Sequence, residues 1–259
     1  MVESVKRLSF HVTTNCYGVF CKMSDRFFLH HPPENNRAVL NQDESHHCRH
    51  VLRAKAGDCI HVFDGLGTEW TARITSIHRN AVTVEIVEQL SSQTSLTRVP
   101  LTVAVALPKG ERQKWLIEKL TELGTDQMVP LITSRGVAEA TESARTRLER
   151  AVVEACKQCG RNTLMSIRAP ASLQALPELF PSQKKLIAHP DGYPLTSHSI
   201  LNEQACLIAI GPEGGFTTEE LDVAATLGFY KVSLGPHILR VETAAVTVAS
   251  WMSQVVYGT

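Results

Sequence analysis

The chain has 259 residues, of which 43% are hydrophobic and 20% are charged, and its 26 basic and 26 acidic residues give a formal net charge of zero. This composition is that of a globular protein, which excludes a disordered or fibrous chain, and no apolar run approaches the roughly 20 residues that span a bilayer, so no membrane contact is expected. The balanced charge supplies no global basic field, so a nucleic-acid partner would need a local basic patch.

The cysteines and the first residues of the chain indicate where the protein works. Seven cysteines are scattered along the sequence, which is an odd number and too sparse for a secreted disulfide framework. We therefore expect a reduced, cytoplasmic protein. Residues 1–22 lack the apolar core of a secretory signal but carry more basic than acidic side chains. They are either an organelle-targeting addition or an extension that precedes a natural start at Met23.

Residues 26–90 show the pattern of a small domain built mostly from strands. Short apolar or alternating runs are separated by turn signals rich in proline, asparagine and glycine. Asp43 can cap a short helix over residues 43–53, with Val51 on its buried side. Strands are predicted at residues 27–29, 38–40, 59–63, 69–77 and 81–88. Together they would form a small antiparallel barrel.

The pattern changes after residues 91–98, a polar stretch that we predict to be a linker. Strands are predicted at residues 101–107, 128–132, 186–188, 205–210 and 230–234, and helices at 111–123, 141–159 and 242–257. A further helix begins with a capping box from Thr217 to Glu220, and Trp115 is expected on the buried face of the helix at 111–123. Alternation of this kind indicates a parallel sheet covered by helices, an α/β fold.

Two glycine-rich turns follow the last two predicted strands. The first is Ile210-Gly211-Pro212-Glu213-Gly214-Gly215, and the second begins at Leu234-Gly235 and runs to Ala245. Glycine at such turns is also what an ordinary connection from a strand to a helix requires. Two turns at neighbouring strand ends, however, let backbone groups line a crevice for a small cofactor. The first turn has no phosphate-loop lysine and carries an acid, which favours a cofactor with a positive centre over a nucleoside triphosphate.

Polar side chains cluster after the second turn. Glu242 and Thr243 can be explained as residues that favour a helix N-terminus. Arg240 gains nothing from that location, so we interpret it as a contact to substrate or cofactor.

Several basic segments are candidates for contacts with RNA. Basic residues exceed acidic ones over residues 142–168, and Lys109 and Arg112 open a helix at the end of a strand. A solvated helix face is the simple explanation, and an RNA-facing surface is the alternative. His46 and His50 lie one helical turn apart, but no second ligand cluster supports a metal site, so phosphate contacts are favoured. The pair Cys156 and Cys159 lacks the preceding strand of a redox motif.

Five of these segments resemble the ribosomal RNA small subunit methyltransferase E family, in the same order and over nearly all of the chain. They are residues 108–111, 122–124, 158–162, 210–215 and 234–245. The resemblance implies an RNA-binding PUA-like barrel at 23–95 and a SPOUT methyltransferase domain at 96–259, whose C-terminal strands and helix form a trefoil knot. It also implies S-adenosylmethionine as cofactor, methylation of N3 of a uridine in 16S ribosomal RNA, no metal, and a homodimer.

The resemblance also implies which residues form the site. Arg240, Glu242 and Glu213 are the expected catalytic residues. The expected cofactor-binding residues are His189, Ile210, Gly211, Pro212, Glu213, Gly214, Gly215, Leu234, Gly235, Ile238, Leu239, Arg240, Thr243 and Ala244. The expected RNA contacts are Arg49, Arg53, Lys109, Arg112 and Arg161. Lys157 departs from the family, in which an acid is common at that position.

Three other functions remain open on the sequence. One is a different SPOUT methyltransferase that acts on tRNA or on ribose. Another is an RNA-binding assembly factor that kept the fold without catalysis. A zinc-dependent RNA-binding module is the third.

Overall fold

The computed structural model describes residues 15–16, 19–20, 26–90, 99–137, 141–196 and 205–257. The chain divides into two compact units, one with residues up to Thr94 and Lys157–Thr163, the other with Ser95–Cys156 and Leu164–Thr259. The predicted linker at 91–98 and most of the extension at 1–22 lie outside the described residues, so the domain boundaries stay predictions.

The first unit contains a five-stranded sheet. Its strands are β3 (Arg26–Phe28), β4 (Arg37–Leu40), β5 (Cys59–Phe63), β6 (Glu69–Ile77) and β7 (Val82–Leu90), and a separate pair is formed by β1 (Asn15–Cys16) and β2 (Val19–Phe20). The order is β3-β5-β6-β7-β4, and β3 pairs with β5 in parallel. The predicted antiparallel pairing holds for the other three strand pairs of this sheet and is wrong for β3 with β5. A strand and a helix separate β3 from β5 in the chain, so a crossover and not a hairpin joins them.

The helical segment of this unit differs in detail from the prediction. Helix α1 (Gln42–His46) is capped by Asn41 and not by Asp43, because the Asn41 side chain accepts a hydrogen bond from the Glu44 amide at 2.8 Å. A π-helical segment, His47–Val51, follows directly. Its wider turn changes the helical register, and Val51 is 62% exposed where we expected it to be buried.

Two buried polar contacts tie residues 157–163 into the first unit. The Lys157 ammonium lies 3.1 Å from the Glu44 carboxylate, and both side chains are almost fully buried. The Arg26 guanidinium donates to Glu69 at 3.0 Å and also to the Asn162 side chain. The Lys157 side chain is thus part of a buried ion pair, and the segment after it contributes Asn162 as a structural residue.

The second unit is built on a parallel sheet. Its strands are β8 (Leu101–Val105), β9 (Gln127–Ile132), β10 (Ser166–Ile167), β11 (Ala171–Ser172), β12 (Lys184–Pro194), β13 (Cys206–Ile210) and β14 (Tyr230–Ser233). The order is β10-β9-β8-β13-β12-β14, with β11 beside β9, and every pairing is parallel. The predicted α/β fold is confirmed.

Helices of the second unit cover this sheet. They are α2 (Arg112–Glu122), α3 (Glu142–Cys159, whose last residues, from Lys157, belong to the first unit), α4 (Leu176–Leu179), α5 (Thr218–Thr226) and α6 (Val241–Tyr257). Leu116, Ile117 and Leu120 form the buried face of α2, whereas Trp115 is 44% exposed and lies outside the face predicted for it. Successive helical residues point about 100° apart, so the burial of Leu116, the next residue, turns Trp115 away from the buried face. The predicted capping box of α5, between Thr217 and Glu220, is present.

The last strand and the last helix take separate places around the sheet. Strand β14 lies beyond β12 at one edge, while α6 packs against α2 and against β8 and β13 in the middle. The chain therefore turns back across the sheet after residue 233. The trefoil knot itself stays a prediction. None of the helices in the described parts of the chain has the length and apolarity needed to cross a membrane.

Candidate functional site

A cavity of about 350 Å³ lies where β12, β13 and β14 end. Carboxyl ends of parallel strands are the usual ligand edge of an α/β sheet. All of the residues predicted to bind cofactor are among the described residues, and all of them line this cavity except Arg240 and Thr243. The wall also includes Ala188, Pro190, Phe216, Ser233, His237 and Val241. The structure thus brings the two glycine turns to one site.

The turn after β13 needs its glycines for geometric reasons. Gly215 has a φ of 67°, in the left-handed region that favours glycine. A Cβ on Gly211 would lie 2.9 Å from the ring of Phe216, which is buried beneath the turn. The Gly215 amide donates to the Pro212 carbonyl at 2.8 Å and closes the turn. The turn therefore keeps its backbone against the cavity with no side chain at these positions.

The second wall is made by an excursion inside β12. Ala188 and Tyr193 both pair with Val232 of β14, so residues 189–192 leave the ladder between them. This excursion carries His189 and Pro190 into the cavity wall. A Cβ on Gly192 would lie 2.5 Å from the backbone of Val232. The predicted strand ended at residue 188, and Gly192 was not predicted as a site residue, although the Asp191-Gly192 pair is a turn signal.

A loop after β9 holds the first glycine turn from outside. The Arg135 guanidinium donates to the Gly214 carbonyl at 2.6 Å, and its side chain is close enough that a Cβ on Gly214 would lie 3.2 Å from Cδ. The Ser134 amide donates to the Glu220 carboxylate at 2.8 Å, and the other oxygen of that carboxylate caps α5. Arg135 was not among the predicted site residues; the signal that could have found it is an arginine shortly after a strand, at the ligand edge of the sheet.

Three charged residues from three segments meet at the rim of the cavity. One terminal nitrogen of Arg112 lies 3.1 Å from Glu213, and the other lies 3.4 Å from both oxygens of Glu242. Glu213 lines the cavity and its side chain is 40% exposed, whereas the Glu242 side chain is 9% exposed. Partial burial opposes the charge of the guanidinium, but attraction and hydrogen bonds from the two carboxylates outweigh it, so the pKa of Arg112 is raised.

Arg240 and Thr243 lie beside the cavity and not in its wall. The Arg240 carbonyl accepts from the Ala244 amide at 2.8 Å, and so Arg240 forms the start of α6. Its side chain is exposed, and no carboxylate of the described residues pairs with its guanidinium. Its chain neighbours Leu239 and Val241 both line the cavity. Arg240 is therefore placed to reach a molecule bound at the mouth, while Thr243 is exposed on α6.

The remaining predicted RNA contacts are distributed over both units. In the first unit, Arg49 donates to the Arg79 carbonyl, Arg53 is exposed with a φ of 53°, and Arg161 is half-buried. In the second unit, Lys109 is exposed just before α2.

His46 and His50 stack with ring centroids 4.6 Å apart. No group of three or more potential metal ligands is found in the parts of the chain that the structure describes.

Two family models match this chain. An RNA methyltransferase domain matches residues 95–253, and an RNA methyltransferase PUA domain matches residues 40–87. The first of these alone covers more than half of the chain.

Relatives of known name and known structure agree with these matches. The chain is 33% identical over 219 residues to ribosomal RNA small subunit methyltransferase E of Synechocystis. This match covers 80% of the chain and 69% of the relative. It is also 33% identical over 222 residues to the protein of the same name from Rickettsia conorii, and this match covers 83% of the chain and 88% of the relative. Two solved structures with bound S-adenosylmethionine each have a TM-score of 0.80. The Neisseria gonorrhoeae ribosomal RNA small subunit methyltransferase E is 28% identical over 89% of this chain and 97% of that one. A Legionella pneumophila methyltransferase is 31% identical over 88% of this chain and 96% of that one.

Proposed function

This chain belongs to the ribosomal RNA small subunit methyltransferase E family and is an RNA methyltransferase, and we propose that it methylates N3 of a uridine in 16S ribosomal RNA with S-adenosylmethionine as the methyl donor. The observation that carries the proposal is the cavity between the two glycine turns. Similar proteins have been solved with this cofactor bound.

The cavity suits a cofactor with a positive centre. S-adenosylmethionine supplies a methyl group attached to a positively charged sulfur. Among the described residues that line the cavity there is no lysine or arginine, and Glu213 is the acid in the wall. Leu239, Val241 and Phe216 provide apolar surface, and the glycine turns leave backbone amides and carbonyls free of side chains. This combination favours a cationic cofactor over a polyphosphate.

The reaction requires that uridine N3 lose its proton as it takes the methyl group. A base must accept that proton, or a cation must stabilise the negative charge that spreads to the neighbouring carbonyl oxygens. Glu213 suits the first role because it faces the cavity, whereas Glu242 is buried and turned to Arg112. Arg240 suits the second role because its side chain is exposed and its chain neighbours Leu239 and Val241 line the cavity. Alternatively, Glu213 lies near the positive sulfur of the cofactor. In that case stabilisation of the uridine's negative charge by Arg240 is what promotes methyl transfer.

The partners follow from the same proposal. We expect 16S ribosomal RNA of the small subunit to be the substrate, in the cytoplasm, and two copies of the chain to form the working enzyme. Exposed apolar side chains support a homodimer: Ile238, in the cavity wall, is 88% exposed, and Tyr193, on β12, is 85% exposed. Apolar surface of this kind is typical of protein interfaces.

The direct test is mass spectrometry of 16S ribosomal RNA nucleosides from cells that lack the gene, with and without the purified protein. We expect N3-methyluridine to be missing and to be restored by protein with S-adenosylmethionine. A methyl group on tRNA or on ribose would assign the chain to another SPOUT activity. No binding of S-adenosylmethionine in a calorimetric titration would favour a non-catalytic assembly factor.

Arg135→Ala is expected to weaken binding of S-adenosylmethionine about tenfold, because a charge-assisted hydrogen bond to the first glycine turn is lost. Isothermal titration calorimetry measures the effect. Arg37→Ala is the control, since Arg37 is exposed on β4 in the first unit. Equal affinities for both variants would mean that the turn holds its shape without Arg135.

A further inference from the structure

Arg112 lies between two acids whose surroundings differ. Glu242 is in the first turn of α6, where a negative charge is favoured by the helix dipole, and its side chain is almost fully buried. Glu213 is in the glycine turn at the cavity, which the hydrogen bond from the Gly215 amide to the Pro212 carbonyl closes, and its side chain is partly exposed. A planar guanidinium can bind two carboxylates with separate nitrogens, which an ammonium cannot do in the same geometry.

We propose that Arg112 is a positioning residue that holds the Glu213 carboxylate at the cofactor cavity, with Glu242 as its buried anchor. This inference rests on the proposed function, because it assigns Glu213 to the reaction. Glu242 fixes the guanidinium, and the guanidinium fixes the acid in the cavity wall. The three residues come from α2, from the turn after β13 and from α6, so the contact joins three separate parts of the second unit.

The geometry favours this role over a phosphate contact. Both terminal nitrogens of Arg112 are directed to carboxylates, at 3.1 and 3.4 Å. A phosphate would have to compete with two negative charges at the same guanidinium. Lys109, three residues earlier, is exposed and forms no ion pair with the described residues, so it is better placed for RNA.

A double-mutant cycle in methyl transfer to 16S ribosomal RNA tests the proposal. Arg112→Ala should lower kcat by about 10- to 30-fold, as for a contact worth roughly 1.4 to 2 kcal/mol. The dissociation constant of S-adenosylmethionine should stay within about threefold. Because Arg112 acts through Glu213, the variant Arg112→Ala/Glu213→Gln should be no slower than Glu213→Gln. Rates that multiply in the double variant would overturn the proposal.

Arg112→Lys separates positioning from RNA binding, and it also serves if the alanine variant does not fold. Lysine keeps the charge but not the planar fork, so we expect Arg112→Lys to remain as slow as Arg112→Ala. Arg112→Ala, which removes the charge, should leave the salt dependence of RNA binding unchanged. Recovery of the rate by lysine, or a salt slope lower by about one in Arg112→Ala, would indicate a phosphate contact and overturn the proposal.

Lys114→Ala is the matched control on the same helix, since Lys114 is exposed and pairs only with Glu118 among the described residues. Its kcat should equal that of the unmodified protein. The unmodified protein is measured first. If it transfers no methyl group to 16S ribosomal RNA, the proposed function fails; if it does so and the cycle is additive, only the role of Arg112 fails.

Discussion

Arg240→Ala is expected to lower kcat by about 100- to 1,000-fold, which is the usual effect of removing one group that stabilises charge in a transition state. The Arg240 side chain is exposed, its neighbours Leu239 and Val241 line the cavity, and no carboxylate of the described residues pairs with it. In the proposed reaction its charge is therefore available to the uridine as N3 loses its proton. Because Arg240 is not in the described cavity wall, the affinity for S-adenosylmethionine should change by no more than about threefold.

Single-turnover methyl transfer and calorimetric titration measure these two quantities on the same protein. Arg37→Ala on β4 is again the control for loss of an exposed arginine. Unchanged kcat would remove Arg240 from the reaction. A loss of cofactor affinity as large as the loss of rate would instead make Arg240 a cofactor-binding residue.

Local signals in the sequence predicted most of the fold. Apolar strands that alternate with helices specified the parallel sheet, and Thr217 with Glu220 specified the start of α5, because these patterns depend on residues close in the chain. The two glycine turns were found for the same reason, since each follows a strand directly. The cap of α1 was predicted wrongly as Asp43, whereas Asn41, two residues earlier, caps the helix.

Contacts between distant segments could not be predicted in this way. Arg135 follows one strand and supports a turn 79 residues later. Arg112 was predicted to contact RNA, and the structure pairs it with two acids that are distant in sequence, Glu213 and Glu242. Nothing in the local pattern around Arg112 specifies these partners. They depend on how the strand ends come together.

The positions of the acids narrow the division of roles at the site. Glu213 and Glu242 were both expected to be catalytic residues, without separate roles. Burial separates them, because a base must reach the proton that it accepts, and only Glu213 of the two lies in the described cavity wall. We therefore expect Glu213→Gln to affect methyl transfer directly and Glu242→Gln to act through Arg112.

Gly192→Ala is expected to lower the free energy of unfolding by about 3 kcal/mol, the upper part of the range for overpacking. A Cβ at this position would lie 2.5 Å from the nitrogen and the carbonyl carbon of Val232. Backbone atoms of a paired strand cannot rotate away as a flexible side chain could. To make room, β12 and β14 must separate where residues 189–192 leave the ladder, and this moves His189 and Pro190 out of the cavity wall.

Binding of S-adenosylmethionine should therefore weaken by more than about tenfold in Gly192→Ala. Urea unfolding and calorimetric titration measure the two effects. Gly228→Ala is the matched control: Gly228 has a φ of 81° but open space around its Cβ position, so alanine there costs only backbone strain of about 1 kcal/mol and leaves the cavity intact. If Gly192→Ala is no more harmful than this control, the excursion in β12 can widen without loss, and close backbone packing does not hold His189 at the site.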